Sequence, residues 1–417
     1  MHRLRAFLII WSGQAVSLLG SKLAQFALIW WLTKTTESPT ILTLAMMIGL
    51  LPQVVLGPIV GVLVDRWSRR AIMLVADGTV ALATLVLGIL FWQEAASVPA
   101  VFVVLFVRAL GETFHWPAMY ASTTLMVPDE HLTRIQGMNQ TLDGGLRIVG
   151  APLGALLLEV IDIAGIIAVD VATALFAIVP LLLIAIPRPE RVAPAGQGLA
   201  SIWQELGDGL RYVRARRAHM LLIGTALLVN LLLTPAMSLL PILVTSHFRG
   251  EALQLAWLQA GMGVGIVCGG LLLSVWGGFK RRIYTTIMGL VGLGLGVLLV
   301  SLTPSGLLPL AVGGLFIIGS MLSLANGPLS AILQATVAPA MQGRIFMLFG
   351  SLSSLIAPLG LVIAGPFAEQ VGVRAWFFAA GITTLAVGVA SAFSRTLLSV
   401  EDSAVEQVPT PAGAPGV

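Results

Sequence analysis

Two clusters of ionisable residues lie inside apolar stretches of this chain. Arg108, Gly111, Glu112 and His115 fall within 98–122, and Asn139, Asp143 and Arg147 within 134–158. The first set sits at i, i+3, i+4 and i+7, the second at i, i+4 and i+8, so each shares one helix face. A charge at the centre of a membrane span costs about 2.5–3.5 kcal/mol on insertion scales, so it is kept for a purpose. Burial raises a carboxyl pKa and a nearby arginine lowers it. A carboxyl beside a movable arginine is therefore a switchable proton carrier. Glu112 is the first choice for that role and Asp143 the second, with Arg108 and Arg147 as modulators and His115 on the shared face. A static reading stays open beside it, with Glu112–Arg108 and Asp143–Arg147 as fixed ion pairs. Asp77 and Asp170 lie nearer span ends and read as structural. Lys22 lies in the second half of the first span.

The second half of the chain has no comparable buried charge. Its buried polar residues are Asn230, Gln259, Asn326 and Gln334. The candidate solute-binding set is Gln25, Phe26, Asn230, Trp257, Gln259 and Asn326. Packing or lipid contact is the competing reading for Phe26 and Trp257. On this division, the first half handles protons and the second holds a mostly apolar solute.

These residues need membrane helices to position them. The chain has 417 residues, 57% apolar and 10% charged, against roughly a quarter charged in soluble proteins. At about 20 apolar residues per span, the length holds twelve. The spans read near 7–32, 40–64, 71–92, 98–122, 134–158, 163–187, 218–245, 252–276, 283–303, 307–331, 343–368 and 373–395. The apolar run after Met1 continues to Leu32 with no small-residue cleavage site, which predicts a retained first helix. The single cysteine, Cys268, lies within a span and excludes an intramolecular disulfide. No G-x-x-x-x-G-K-[ST] loop occurs, and no metal-ligand cluster or nucleophile constellation. Neither cofactor, metal nor enzymatic activity is expected. Gly-Leu-Gly-Leu-Gly at 292–296 reads as helix packing.

The net charge is +4, and its placement sets topology. Arg3, Arg5, Arg66, Arg69, Arg70, Arg134, Arg188, Arg191, Arg211, Arg214, Arg216, Arg217, Lys280, Arg281, Arg282, Arg344 and Arg395 fall in one set of alternate loops, and only Lys34, Arg249 and Arg374 in the other. The positive-inside rule then puts both termini in the cytoplasm, and nucleic-acid binding is unnecessary. Residues 1–187 form the first half and 218–396 the second. Between them, 188–217 opens with Pro and Gly and continues as an amphipathic helix. That helix lies on the membrane surface or packs on the bundle. Residues 397–417 read as a disordered tail. The halves repeat: Pro117, Pro128 and Arg134 recur as Pro328, Pro339 and Arg344, and Ala151-Pro-Leu-Gly154 recurs as Ala357-Pro-Leu-Gly360. Two parallel six-helix halves follow.

At the second span junction stands Gly61-Val-Leu-Val-Asp65-Arg66-Trp67-Ser68-Arg69-Arg70. It resembles the G-x-x-x-D-R-x-G-R-R signature of the major facilitator superfamily, with Ser68 in place of a glycine. Arg108-Ala-Leu-Gly111 resembles the fourth-helix R-x-x-x-G pattern of that family, and Gly150-Ala-Pro-Leu-Gly154 its fifth-helix antiporter element in weakened form. Trp11 to Gly20, Gly57 to Arg66, Phe114-His-Trp-Pro-Ala118, Gly269 to Leu273 and Gly343-Arg-Ile-Phe346 resemble the macrolide-efflux branch. The resemblance implies an all-α fold of twelve transmembrane helices in two pseudo-symmetric halves. It also implies an inner gate of Gly61, Asp65, Arg69, Arg70 and Arg344, in which Asp65 meets the start of the eleventh helix.

The expected protein is thus a monomeric, multi-pass cell-membrane transporter. Its expected partners are protons, the lipid bilayer and a small amphipathic drug, exported by alternating access. Export of a lipid or siderophore, and a non-transporting receptor on the same fold, are the alternatives. Glu112, Asp143 and Arg147 rest on the residues themselves, since the branch pattern does not contain them.

Overall fold

A computed structural model describes residues 2–187 and 199–402. Twelve of its helices are long and apolar enough to cross a membrane. The first six are α1 (His2–Thr36), α2 (Pro39–Arg66), α3 (Arg69–Trp92), α4 (Val98–Met126), α5 (Asp129–Val160) and α6 (Ile163–Leu183). A linking helix α7 (Leu199–Ala215) leads to α8 (Arg217–Ser238) and the short α9 (Leu240–Ser246). Then come α10 (Ala252–Trp276), α11 (Arg282–Leu302), α12 (Leu308–Thr336), α13 (Pro339–Val371), α14 (Val373–Phe393) and α15 (Arg395–Leu398). The face carrying His2 is called the near face below, and the opposite one the far face.

Backbone donors in an apolar slab must be satisfied within the element, which drives these stretches to helix. Local residues then set the ends. Ser38 caps α2 by accepting from the Ile41 amide at 3.3 Å, with Pro39 in the first turn where no donor is needed. Ser68 does the same for α3, so the serine in place of a glycine in the turn is a helix cap. Asp162 caps α6 through Gly165 N at 2.8 Å. Glu251 and Gln254 form a reciprocal capping box on α10. Gly277 closes α10 at φ 76, a left-handed conformation that suits glycine.

The seventh apolar stretch, expected as one span over 218–245, is broken between α8 and α9. Pro235 inside α8 and Pro241 at the start of α9 bracket the break, each removing a backbone donor. The repeat is visible in matched helices: α4 and α12 each have 29 residues and carry an internal proline, Pro117 and Pro328.

Within the first half, α1 packs on α5 and α6, α3 on α4 and α6, and α2 on α4. Within the second, α12 packs on α10 and α11, α11 on α14, and α13 on α8. The halves meet where α2 lies against α13 and α5 against α10. A Cβ on Gly294 would meet Leu385 N at 2.5 Å, so the glycine run of α11 serves close helix packing as expected. Large apolar side chains such as Leu183, Val275 and Phe393 stand on the surface, as a lipid-facing exterior requires. The α7 helix packs on α13 and contributes Val213 to a buried cluster with Ile345 and Leu348. Of the two readings for that helix, the bundle-packed one is observed. Residues 188–198 and 403–417 lie outside the described residues, while the start of the expected tail, 397–402, is packed on the bundle through buried Leu397 and Val400.

Candidate functional site

The first half buries a polar pocket between α1, α3, α4 and α6. Arg108, 7% exposed, projects from α4 across to α6. Its Nη1 donates to Thr84 Oγ1 at 3.1 Å and forms a close ion pair with Asp170 Oδ2, while Nη2 donates to the Ser21 carbonyl at 3.1 Å. The other Asp170 oxygen accepts from Ser21 Oγ at 3.0 Å. A desolvated guanidinium needs its charge and its donors matched, and this cage does both. The static alternative paired Arg108 with Glu112 along the same helix; the structure gives that place to Asp170. The pairing crosses helices, so spacing along one helix does not reveal it. Gly111 lets α3 approach, since a Cβ there would meet Val80 at 2.5 Å.

One to two turns along α4, the same pocket holds a second acid. Asp77 Oδ2 accepts from Gln14 Nε2 at 3.0 Å, and Asp77 Oδ1 lies 3.5 Å from His115 Nε2. That imidazole nitrogen is buried without a hydrogen-bond partner. Glu112 lines the pocket between the two clusters, is exposed, and makes no ion pair or hydrogen bond with a described residue. Asp77 and Asp170, read from sequence as peripheral, are therefore the acids that face Arg108 and His115. On α5, Arg147 Nε donates to Asp143 at 3.1 Å, and both side chains are more than half exposed. Asn139, one turn earlier, accepts from Trp11 Nε1 at 2.7 Å and ties α5 to α1.

The second half holds a cavity of about 680 Å³. Asn230 and Asn326 line it, together with Thr225, Thr286, Phe349 and Ser353, and Met46 of α2 reaches it from the other half. Thr234 Oγ1 donates to Asn230 Oδ1 at 2.6 Å, and the NH2 group of Asn230 has no hydrogen bond to a described residue. The other expected binding residues are not in its wall. Trp257, 57% exposed, and Gln259 sit near the far end of α10, where an indole suits the interfacial belt. Phe26 is buried at the junction of the halves with Leu42 and Leu233. Gln25 is exposed on α1.

Among the described residues, polar contacts between the halves gather on the far face. Lys34 pairs with Glu251 at 2.8 Å. The Glu369 carboxylate at the end of α13 accepts from Ser38 Oγ at 2.8 Å and Thr40 N at 3.0 Å, at the start of α2. A Cβ on Gly365 would meet Thr43 Oγ1 at 2.3 Å. Toward the near face, Gly57, Gly137, Gly144, Gly343 and Gly350 have open space beside them. Gly61 and Asp65 belong to the last turns of α2, and their side chains lie outside the described ones. Arg69 donates to the Ala121 carbonyl at 2.9 Å, and Arg70 to the Leu181 and Leu182 carbonyls at 2.6 and 2.5 Å. Arg70 thus satisfies free C-terminal carbonyls of α6, while Arg69 reaches a carbonyl inside α4 that also accepts from Thr124 Oγ1; both bonds lie inside the first half and not across the gate. Arg344 pairs with Asp208 of α7 at 3.2 Å.

Comparison with known proteins gives the same architecture. The model of the Major Facilitator Superfamily matches residues 10–361. The chain is 34% identical over 391 residues to Macrolide efflux protein A of Streptococcus pyogenes, covering 92% of this chain and 94% of that protein. It is 27% identical over 401 residues to the Multidrug efflux pump Tap of Mycolicibacterium fortuitum, again covering 92% and 94%. A variant of the nucleoside transporter NupG superposes with a TM-score of 0.71 at 13% identity, covering 93% of this chain and 99% of that one. That last likeness speaks for the fold alone.

Proposed function

This chain belongs to the major facilitator superfamily, and from that premise we propose that it exports an amphipathic, drug-like molecule in exchange for protons. It is a multi-pass membrane transporter similar to macrolide and multidrug efflux pumps. In this reading it is not an enzyme, works as a monomer, and sits in the cell membrane with its near face and both termini in the cytoplasm. The 188–217 segment joins two six-helix halves that rock about a central pathway.

The observation that supports this most is the uneven contact between the halves. They touch through Lys34–Glu251 and Glu369–Ser38 on the far face, and no hydrogen bond or ion pair between described side chains joins them on the near face. Such a molecule receives solute from the near side. The apolar cavity with Asn230 and Asn326 takes the solute. The ionisable pocket of the first half carries the proton, with Glu112 as carrier and Arg108 and His115 beside it; Asp143 with Arg147, outside that pocket on α5, is the second candidate. Asp65 and Arg344 close the near face in the opposite state, when Arg344 leaves Asp208.

Purified protein in liposomes tests the reading directly. With an imposed pH gradient, a labelled macrolide should accumulate, and collapse of the gradient should release it. Binding of the macrolide with no gradient-driven flux in either direction would favour the receptor alternative. Orientation is checked by a single cysteine in place of Trp67, on a background lacking Cys268. Labelling of that site from outside intact cells would reverse the assignment.

A further inference from the structure

We propose that the second-half cavity takes its ligand in uncharged form, as a neutral hydrogen-bonding amphiphile, with the Thr286 hydroxyl and the Asn230 and Asn326 amides as its polar contacts. This rests on reading that cavity as the substrate site.

None of the described residues lining the cavity has an ionisable side chain. Apolar groups such as Leu233, Leu290 and Phe349 alternate there with hydroxyls and amides. An ammonium or carboxylate placed in such a space would lose its hydration and gain no counter-charge. A neutral molecule with a few hydroxyl or carbonyl groups meets no such cost. The volume of about 680 Å³ lies within the roughly 300–1,000 Å³ of small-molecule sites.

Thr286 supplies the independent sign of a missing partner. It is 4% exposed, lines the cavity, and its Oγ1 has no hydrogen-bond partner. Thr33, Thr113 and Thr336 return their hydroxyls to the carbonyl four residues earlier. Thr286 does not. A buried hydroxyl left free is costly, so the group is placed for something that enters the cavity. The unengaged amide of Asn230 and the exposed Asn326 stand in the same wall.

A neutral substrate has a consequence for energetics. If the exchanged proton is the only charge moved, each cycle carries net charge, and membrane potential drives export alongside the pH gradient. The site also discriminates among ionisable drugs by their neutral fraction.

The test uses the full-length protein and three probes on one aryl-alkyl skeleton: an alcohol, a tertiary amine and its N-methyl quaternary ammonium salt. The alcohol should bind, and the amine should bind about tenfold more tightly for each pH unit raised toward its own pKa. The quaternary salt should bind at least about a hundredfold more weakly than the alcohol. Equal affinity for the salt and the alcohol overturns the proposal. If none of the three binds or moves, the reading of the cavity as a substrate site falls, and the proposal with it. Thr286→Val separates ligand contact from fold. No protein partner is lost, so thermal stability should hold while alcohol affinity falls about tenfold. A drop in melting temperature with unchanged affinity would make Thr286 a structural residue and overturn its assignment.

Discussion

In the first half the buried Arg108–Asp170 pair is charged and answered across helices; in the second the polar groups that line the cavity are neutral and partly unanswered. Arg108 has Asp170, Thr84 and the Ser21 carbonyl around it, and Asp77 has Gln14 and His115. Thr286 has no partner, and Asn326 faces a cavity. The helical plan is the same in both, as α4 and α12 illustrate. Buried charge must be satisfied by the protein itself, because an unpaired ion in a low dielectric is very expensive. A neutral amide or hydroxyl left free is cheaper, so it can wait for a ligand. The duplicated scaffold thus permits one half to hold charge and the other to hold an uncharged cavity.

The largest expected effect breaks the charged half. Asp170→Asn leaves Arg108 buried beside a neutral amide and should cost about 3–5 kcal/mol. Melting temperature and transport should fall together. The double variant Arg108→Leu with Asp170→Leu should recover most of the stability and none of the proton coupling. If Asp170→Asn melted like the parent, the ion pair would not hold the first half together.

A smaller effect sharpens the comparison from the other side. Asn326 faces the cavity and makes no hydrogen bond to a described residue. Asn326→Leu should therefore leave the melting temperature unchanged and weaken binding of a labelled macrolide by about tenfold, the loss of one or two hydrogen bonds. Unfolding of this variant would contradict its placement. The smallest effect is expected at the far face. Lys34 and Glu251 side chains are 42% and 68% exposed, so Lys34→Gln should change stability by less than about 1 kcal/mol. Distances measured across that face should widen only slightly.

The fold was readable because lipid imposes simple rules. Twelve apolar runs, the cation bias and the Pro117, Pro128 and Arg134 recurrence specify spans and halves without any side-chain detail. The junction residues Ser38, Ser68 and Asp162 fix helix starts by equally local contacts. The site was only half readable. Spacing along one helix finds i and i+4 neighbours, and it found Asp143–Arg147. It offered only Glu112 as a fixed partner for Arg108, because the actual contact runs from α4 to α6. A signal was present: Asp170 is the single charged residue in Ile163–Leu183, and a lone acid in one span calls for a lone base in another. Trp257 misled because an aromatic residue suits an interface as well as a cavity. Thr286 could not be found at all, since a missing hydrogen bond is a property of packing.

The central claim is that proton handling and solute binding reside in different halves. Glu112→Gln tests it most directly, because Glu112 has no ion pair with a described residue to lose. Macrolide binding and pH-driven accumulation should be measured on the same reconstituted variant. The account predicts parental affinity and melting temperature with accumulation abolished. Full pH-driven accumulation, or loss of binding together with accumulation, would contradict it.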